Sequence, residues 1–152
     1  MKVKIGPFPK SNWIKQMFGI KDEQKVEVQI DPWDTWSMDH TLAPIILPML
    51  VQLKNTKHGA PAVEWEDVPE ELRPPKDQIS KLYTHGETDD NFFKRWDWVL
   101  DEMIWAFEQK CRDDWMTDYD YNKWDSEGAN AHQERMSNGF RLLGKYYESL
   151  WD

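Results

Sequence analysis

Three groups of side chains have the types and spacing to do chemistry. The first is Asp118-x-Asp120-x-Asn122, an oxygen-ligand spacing that opens many calcium loops. Such a loop also needs glycine at its sixth position and a bidentate glutamate at its twelfth. Here those positions hold Lys123, a cation beside the would-be ion, and Ala129, which has no side-chain oxygen. The other reading is a solvated turn, which Asp and Asn favour. The second is His132, on the apolar face of a C-terminal helical segment, where a metal would need carboxylate or imidazole partners from other helices. No E-x-x-H or H-E-x-x-H motif supplies them, and a hydrogen-bonded histidine at the core edge is the competing reading. Asp118, Asp120, Asn122 and His132 are therefore the candidate metal ligands, each from an incomplete set. The third is the carboxylate stripe of Asp97, Asp101 and Glu108, with Glu102 further round the same helix. Paired carboxylates do acid–base work when a pocket raises one pKa; beside a core face they are otherwise simply solvated. Cys111 has no partnering His or Cys, and His40, His58 and His85 read as surface or capping residues. With no G-x-S-x-G, P-loop or G-x-G-x-x-G sequence, no catalytic residue is assigned and no cofactor is expected.

The elements that would position these groups are mostly helical. Lys2–Ile5 and Val26–Ile30 alternate apolar and polar residues and stop at Gly6-Pro7 and Asp31-Pro32, so they can pair as an antiparallel ribbon. A short helix is predicted over Asn12–Phe18. A long one is predicted from a Thr35 or Ser37 cap to about Thr56, with Met38, Leu42, Ile45, Ile46, Met49, Leu50 and Leu53 on its core face. Pro44 and Pro48 lie on the other side and should bend it, unless regular helix begins only at Pro44. A second helix is predicted over 90–109, with Phe92, Phe93, Trp96, Val99, Leu100, Met103, Ile104 and Phe107 inward. A third is predicted over 129–150 behind a Ser126 cap, with Met136, Phe140, Leu143, Tyr146, Tyr147 and Leu150 inward. Gly139 lies within that last face and would admit a second helix closely. The proline-rich acidic stretch 60–88, with one turn at Pro69–Arg73 and another near Gln78–Tyr83, and the aromatic stretch 110–128 read as loops. The expected fold is mainly α: a compact bundle of about three long helices with a small N-terminal β-ribbon and long loops, forming one domain over 1–152.

Ten tryptophans among 152 residues, with a formal charge of −9, are the compositional signature. Trp96 belongs to a core face, Trp151 is expected to close the core at the C-terminal end, and Trp13, Trp33 and Trp36 flank the N-terminal elements, where packing is expected. Trp98 and Trp105 are seven apart on the second helix, opposite its core face, and need another cover. This chain's own loops could supply it through Trp65, Trp115, Trp124 and the Tyr119/Tyr121 pair. Otherwise Trp98, Trp105, Trp115 and Trp124 form an interface with another molecule, or a sugar-stacking platform.

The acidic balance argues against direct nucleic-acid or anionic-membrane binding. The longest apolar stretch, Leu42–Leu53, is too short to span a bilayer. One cysteine suits a reducing compartment, and no secretory leader is visible in the first residues.

The run Trp36–Leu50, WSMDHTLAPIILPML, continuing to His58-Gly-Ala-Pro61, resembles a family of uncharacterised proteins of tailed bacteriophages and marine viral sequences. The opening KVKIGP of Lys2–Pro7, VPEELR of Val68–Arg73, WVLDEMIWAFE of Trp98–Glu108 and the ending Asn138–Asp152 are similar to the same family. The resemblance implies a viral protein acting in the host bacterial cytoplasm or in the virion, and it carries no activity or catalytic residue. The leading expectation is a non-enzymatic accessory or interaction protein, with a protein partner or self-association. The alternatives are a small metal-dependent enzyme and an acidic inhibitor that imitates nucleic acid.

Overall fold

The computed structural model describes residues 1–7, 9, 17–18, 23–74, 88–112, 114, 116, 119 and 126–151. Within it the chain forms two compact units, Met1–Thr41 and Leu42–Asp152.

In the N-terminal unit, β1 (Lys2–Ile5) and β2 (Val26–Gln29) pair antiparallel, as the alternation predicts, with Val3 opposite Val28 and Ile5 opposite Val26. The Gly6 N–H donates to the Lys25 carbonyl at 2.8 Å and closes the end of the ladder. Pairing stops at Gln29, one residue short of the expected end. Asp31-Pro32 then starts a 3₁₀ turn over Pro32–Thr35, in which the Asp31 N–H donates to Asp34 Oδ2 at 2.7 Å. The Met1 ammonium pairs with Asp34 at 2.7 Å and, with the Asp31 N–H, holds this carboxyl below its ordinary range. Most of the helix expected at Asn12–Phe18 lies outside the described residues.

Helix α1 (Met38–Thr56) begins directly after Ser37, whose carbonyl accepts from the Thr41 N–H at 3.1 Å. Pro44 and Pro48 both lie inside it with their rings exposed, and helix is already regular six residues before Pro44. Its inward face differs from the expected one. Ala43 and Leu50 are buried, with Ile46, Leu47 and Leu53 packed on the core, whereas Met38, Leu42 and Met49 are exposed. Ala43, Leu47 and Val51 widen the apolar arc, so period alone did not set its phase; the fully buried Ala43, with nothing beyond Cβ, marks the side of close approach.

In the C-terminal unit, α2 (Phe92–Arg112) supplies most of the core. Trp96, Val99, Leu100 and Met103 are fully buried, together with Leu142 of α3 (Ser126–Lys145). Gly139 of α3 lies so close to α2 that a Cβ there would sit 2.6 Å from the Glu102 carbonyl oxygen, and closer still to the Ala106 Cβ. Small residues facing each other thus set the helix spacing.

Ser126 is the first residue of α3 and not a cap outside it, and the helix ends at Lys145. The following 3₁₀ turn, Tyr147–Ser149, changes the phase, which leaves Tyr147 exposed and Leu150 partly buried. Phe93 is also exposed and meets Phe92 edge-on at 5.6 Å. Trp151, expected as a core plug, is half exposed and lies over Gly59.

The acidic loop carries two short 3₁₀ turns, Trp65–Asp67 and Glu70–Leu72; the turn expected at Gln78–Tyr83 lies outside the described residues. Arg95 ties this loop to α2. Buried, it forks onto Asp89 at 2.6 and 3.0 Å and donates to the Leu72 carbonyl at 2.9 Å.

Candidate functional site

Three of the four carboxylates that sequence reading singled out on α2 meet a specific partner. On α2, Asp97 pairs with Lys57 at 2.5 Å and Asp101 with Lys54 of α1. Glu102 is buried and takes a forked pair from Arg135 at 2.7 and 3.0 Å. The carboxylate stripe therefore holds α1 and α3 to α2, while Glu108 is exposed. Cys111 is a free thiol on the surface.

Trp105 does not wait for a loop. The Arg135 guanidinium lies over its ring at 4.0 Å and the His132 ring lies 4.9 Å away, so α3 covers it. Tyr119 then meets His132, its hydroxyl 2.9 Å from Nδ1. Pairing with Glu102 raises the Arg135 pKa and keeps this cation fixed over the indole. Trp98 is half-buried and packs against the core cluster. The helical wheel placed both tryptophans behind the core face; the structure gives both partial cover within the C-terminal unit, Trp98 by packing on the core cluster and Trp105 because a long arginine on α3 reaches over its ring. Trp115 and Trp124, the other candidate interface residues, lie outside the described residues, as do Asp118, Asp120, Asn122 and His85. Among the described residues no three His, Cys, Asp or Glu side chains converge to hold a metal.

A polar hub missed by sequence reading centres on Asp67, almost fully buried in the acidic loop. Its carboxylate takes the Tyr146 hydroxyl at 2.7 Å, Lys145 at 2.6 Å and Arg141 at 2.8 Å. Burial pushes the Asp67 pKa up, but these three donors outweigh it and hold it below the ordinary range. Burial and the bond to Asp67 push the Tyr146 phenol up to about 12. The same hydroxyl accepts from the Glu64 N–H at 3.0 Å, and Lys145 also reaches Glu64 at 2.5 Å. An acidic loop gives no period from which to single out Asp67. The hub joins the acidic loop to the C-terminal end of α3 and the Tyr146 that follows it.

An exposed aromatic surface lies in the N-terminal unit. In the 3₁₀ turn, residues three apart are eclipsed, which brings Trp33 and Trp36 together with ring centroids 5.7 Å apart and planes 38° apart. They are 77% and 81% exposed, among the largest apolar exposures in the protein. With Ser37, His40 and Thr41 they line an open hollow of about 450 Å³. Sequence reading expected packing here; the available signal was two tryptophans at i, i+3 in a Pro-started turn flanked by Asp31 and Asp34, with no apolar period around them.

The ribbon that leads into this turn is also exposed. In an antiparallel pair, opposite residues share a face, so the register puts Val3, Val28, Ile5 and Val26 on one side and Lys2, Gln29, Lys4 and Glu27 on the other. The four apolar residues are 38–56% exposed.

Comparison of the chain with family models, with curated proteins and with solved structures found no match in any of the three.

Proposed function

We propose that this chain is a non-enzymatic interaction protein, of the phage accessory kind its sequence resemblance implies, and that its N-terminal unit carries the contact surface. The observation that carries the reading is the Trp33–Trp36 pair, held side by side by a 3₁₀ turn and left about four-fifths exposed. A folded domain leaves single apolar residues wet without consequence, but paired wet tryptophans mark contact sites. The described polar clusters support the same reading, since Asp97, Asp101 and Glu102 of α2 and Asp67 are engaged in ion pairs that join elements of the C-terminal unit. The interface first expected at Trp98 and Trp105 moves on this reading to Trp33 and Trp36.

The test is capture of binding proteins from bacterial lysate by the purified chain, compared with its Trp33→Ala/Trp36→Ala variant. Both side chains are on the surface, so the variant should keep its helical circular dichroism and thermal melt. Loss of a captured protein from the variant, with the melt unchanged, supports the reading. Capture equal to that of the wild type refutes it.

A further inference from the structure

We infer that the apolar face of the β1–β2 ribbon is a self-association surface, and that its occupant is the same face of a second copy of this chain. The inference deepens the interaction reading above by naming the partner. Three observations converge on it.

The first is the ribbon itself. Two strands alone are marginally stable in water and need further strands or a packed layer on their apolar face. Here Val3, Ile5, Val26 and Val28 form such a face, Ile30 continues its parity, and all five are exposed.

The second is charge. Residues 1–41 carry six lysines and no arginine against six Asp and Glu, a formal charge of zero. Residues 42–152 carry 13 Lys and Arg against 22 Asp and Glu, which accounts for the whole −9. Two copies of an acidic chain repel one another, and the neutral unit is where they can approach with least opposition. A two-fold axis through the ribbon would stack apolar face on apolar face and leave Lys2, Lys4 and Glu27 outward.

The third is area. Trp side chains present about 150–250 Å² each, so a pair four-fifths exposed offers about 240–400 Å². The five aliphatic side chains, about half exposed, add roughly 150–300 Å², and Ile30 leads within three residues to Trp33. The sum, about 400–700 Å², reaches the lower end of the ~600–1,000 Å² per partner of a standard interface.

The experiment is sedimentation velocity on the full chain over a range of concentrations, with Val28→Lys on the apolar face and Lys2→Gln on the opposite face. The wild type is expected to show twice the mass of one chain, and the Lys2→Gln variant to keep it. Val28→Lys is expected to be monomeric with unchanged helical circular dichroism. If that variant misfolds, Val26→Thr/Val28→Thr keeps β-propensity and should weaken association by about tenfold or more. Added salt should tighten the dimer, since it screens the repulsion and favours apolar contact. A wild type that stays monomeric overturns the inference, and so does a dimer that survives Val28→Lys or that salt dissociates. A monomer whose lysate capture depends on Trp33 and Trp36 would leave the broader interaction reading standing.

Discussion

Replacing Gly139 by alanine probes the closest approach in the C-terminal unit. The added methyl would lie 2.6 Å from the Glu102 carbonyl oxygen and closer still to the Ala106 Cβ. Both obstacles are fixed parts of α2, so no flexible side-chain end can give way. Restoring ordinary contact requires the two helices to part by about 1 Å, and a gap of that size forfeits a quarter to a half of each dispersion contact along the seam. Overpacking of this kind costs about 1–3 kcal/mol. Alanine's better helix propensity returns about 1 kcal/mol at most, while the opened seam adds to the cost. The expected net effect is a loss of about 2 kcal/mol. Gly144, five residues later on the same helix, provides the internal control, since nothing lies within 4 Å of a Cβ built there. Gly144→Ala should gain about 0.5–1 kcal/mol from propensity alone. In a chain of this size the two variants should therefore differ by roughly 5–12 °C in melting temperature, on opposite sides of the wild type. The assay is urea and thermal unfolding followed by tryptophan fluorescence, with the buried Trp96 as reporter. A Gly139→Ala protein as stable as Gly144→Ala would refute the helix spacing and the packing argument built on it.

The remaining expectations concern the Asp67 hub. Tyr146→Phe keeps the ring against Trp96 but removes a donor to Asp67 and the acceptor of the Glu64 N–H, so unfolding by urea should show a loss of about 1–3 kcal/mol. Asp67 has its folded pKa depressed, so its contribution is complete above the unfolded carboxylate range and is lost as pH falls through the folded value; Asp67→Asn should flatten that acid limb of stability. Tyr146 has its folded pKa raised from 10.0 to about 12, so its contribution is complete below pH 10 and is lost as pH rises towards 12; Tyr146→Phe should lack that alkaline loss in the same titration.

The helices were legible because their periods are long and strongly amphipathic. The ribbon was legible because its alternation ends at Gly-Pro and Asp-Pro. Gly139 was legible because a glycine inside an otherwise apolar face has few other reasons to be there. The phase of α1 was not: with apolar residues over much of its circumference, several rotations bury comparable area, and only tertiary contact at Ala43 and Leu50 chooses among them. Tyr147 was misplaced because the helical period was extended past Lys145, where a 3₁₀ turn begins.

The tryptophans show most clearly what a single helix cannot reveal. Trp105 lies off the core face of α2, and read from α2 alone it asks for a foreign partner. Its cover comes from Arg135 and His132, thirty and twenty-seven residues further on, and Arg135 is drawn there by Glu102, a buried carboxylate that itself requires a cation. One ion pair therefore serves both groups, and neither sequence window contains both ends of it. For Trp33 and Trp36 the situation is reversed. Their turn lies among neutral-on-balance N-terminal residues whose ribbon presents an apolar face of its own, and the C-terminal unit carries the entire net charge. Exposed aromatic area on a surface free of net charge offers a second molecule burial without long-range repulsion, the condition under which apolar area is converted most directly into association.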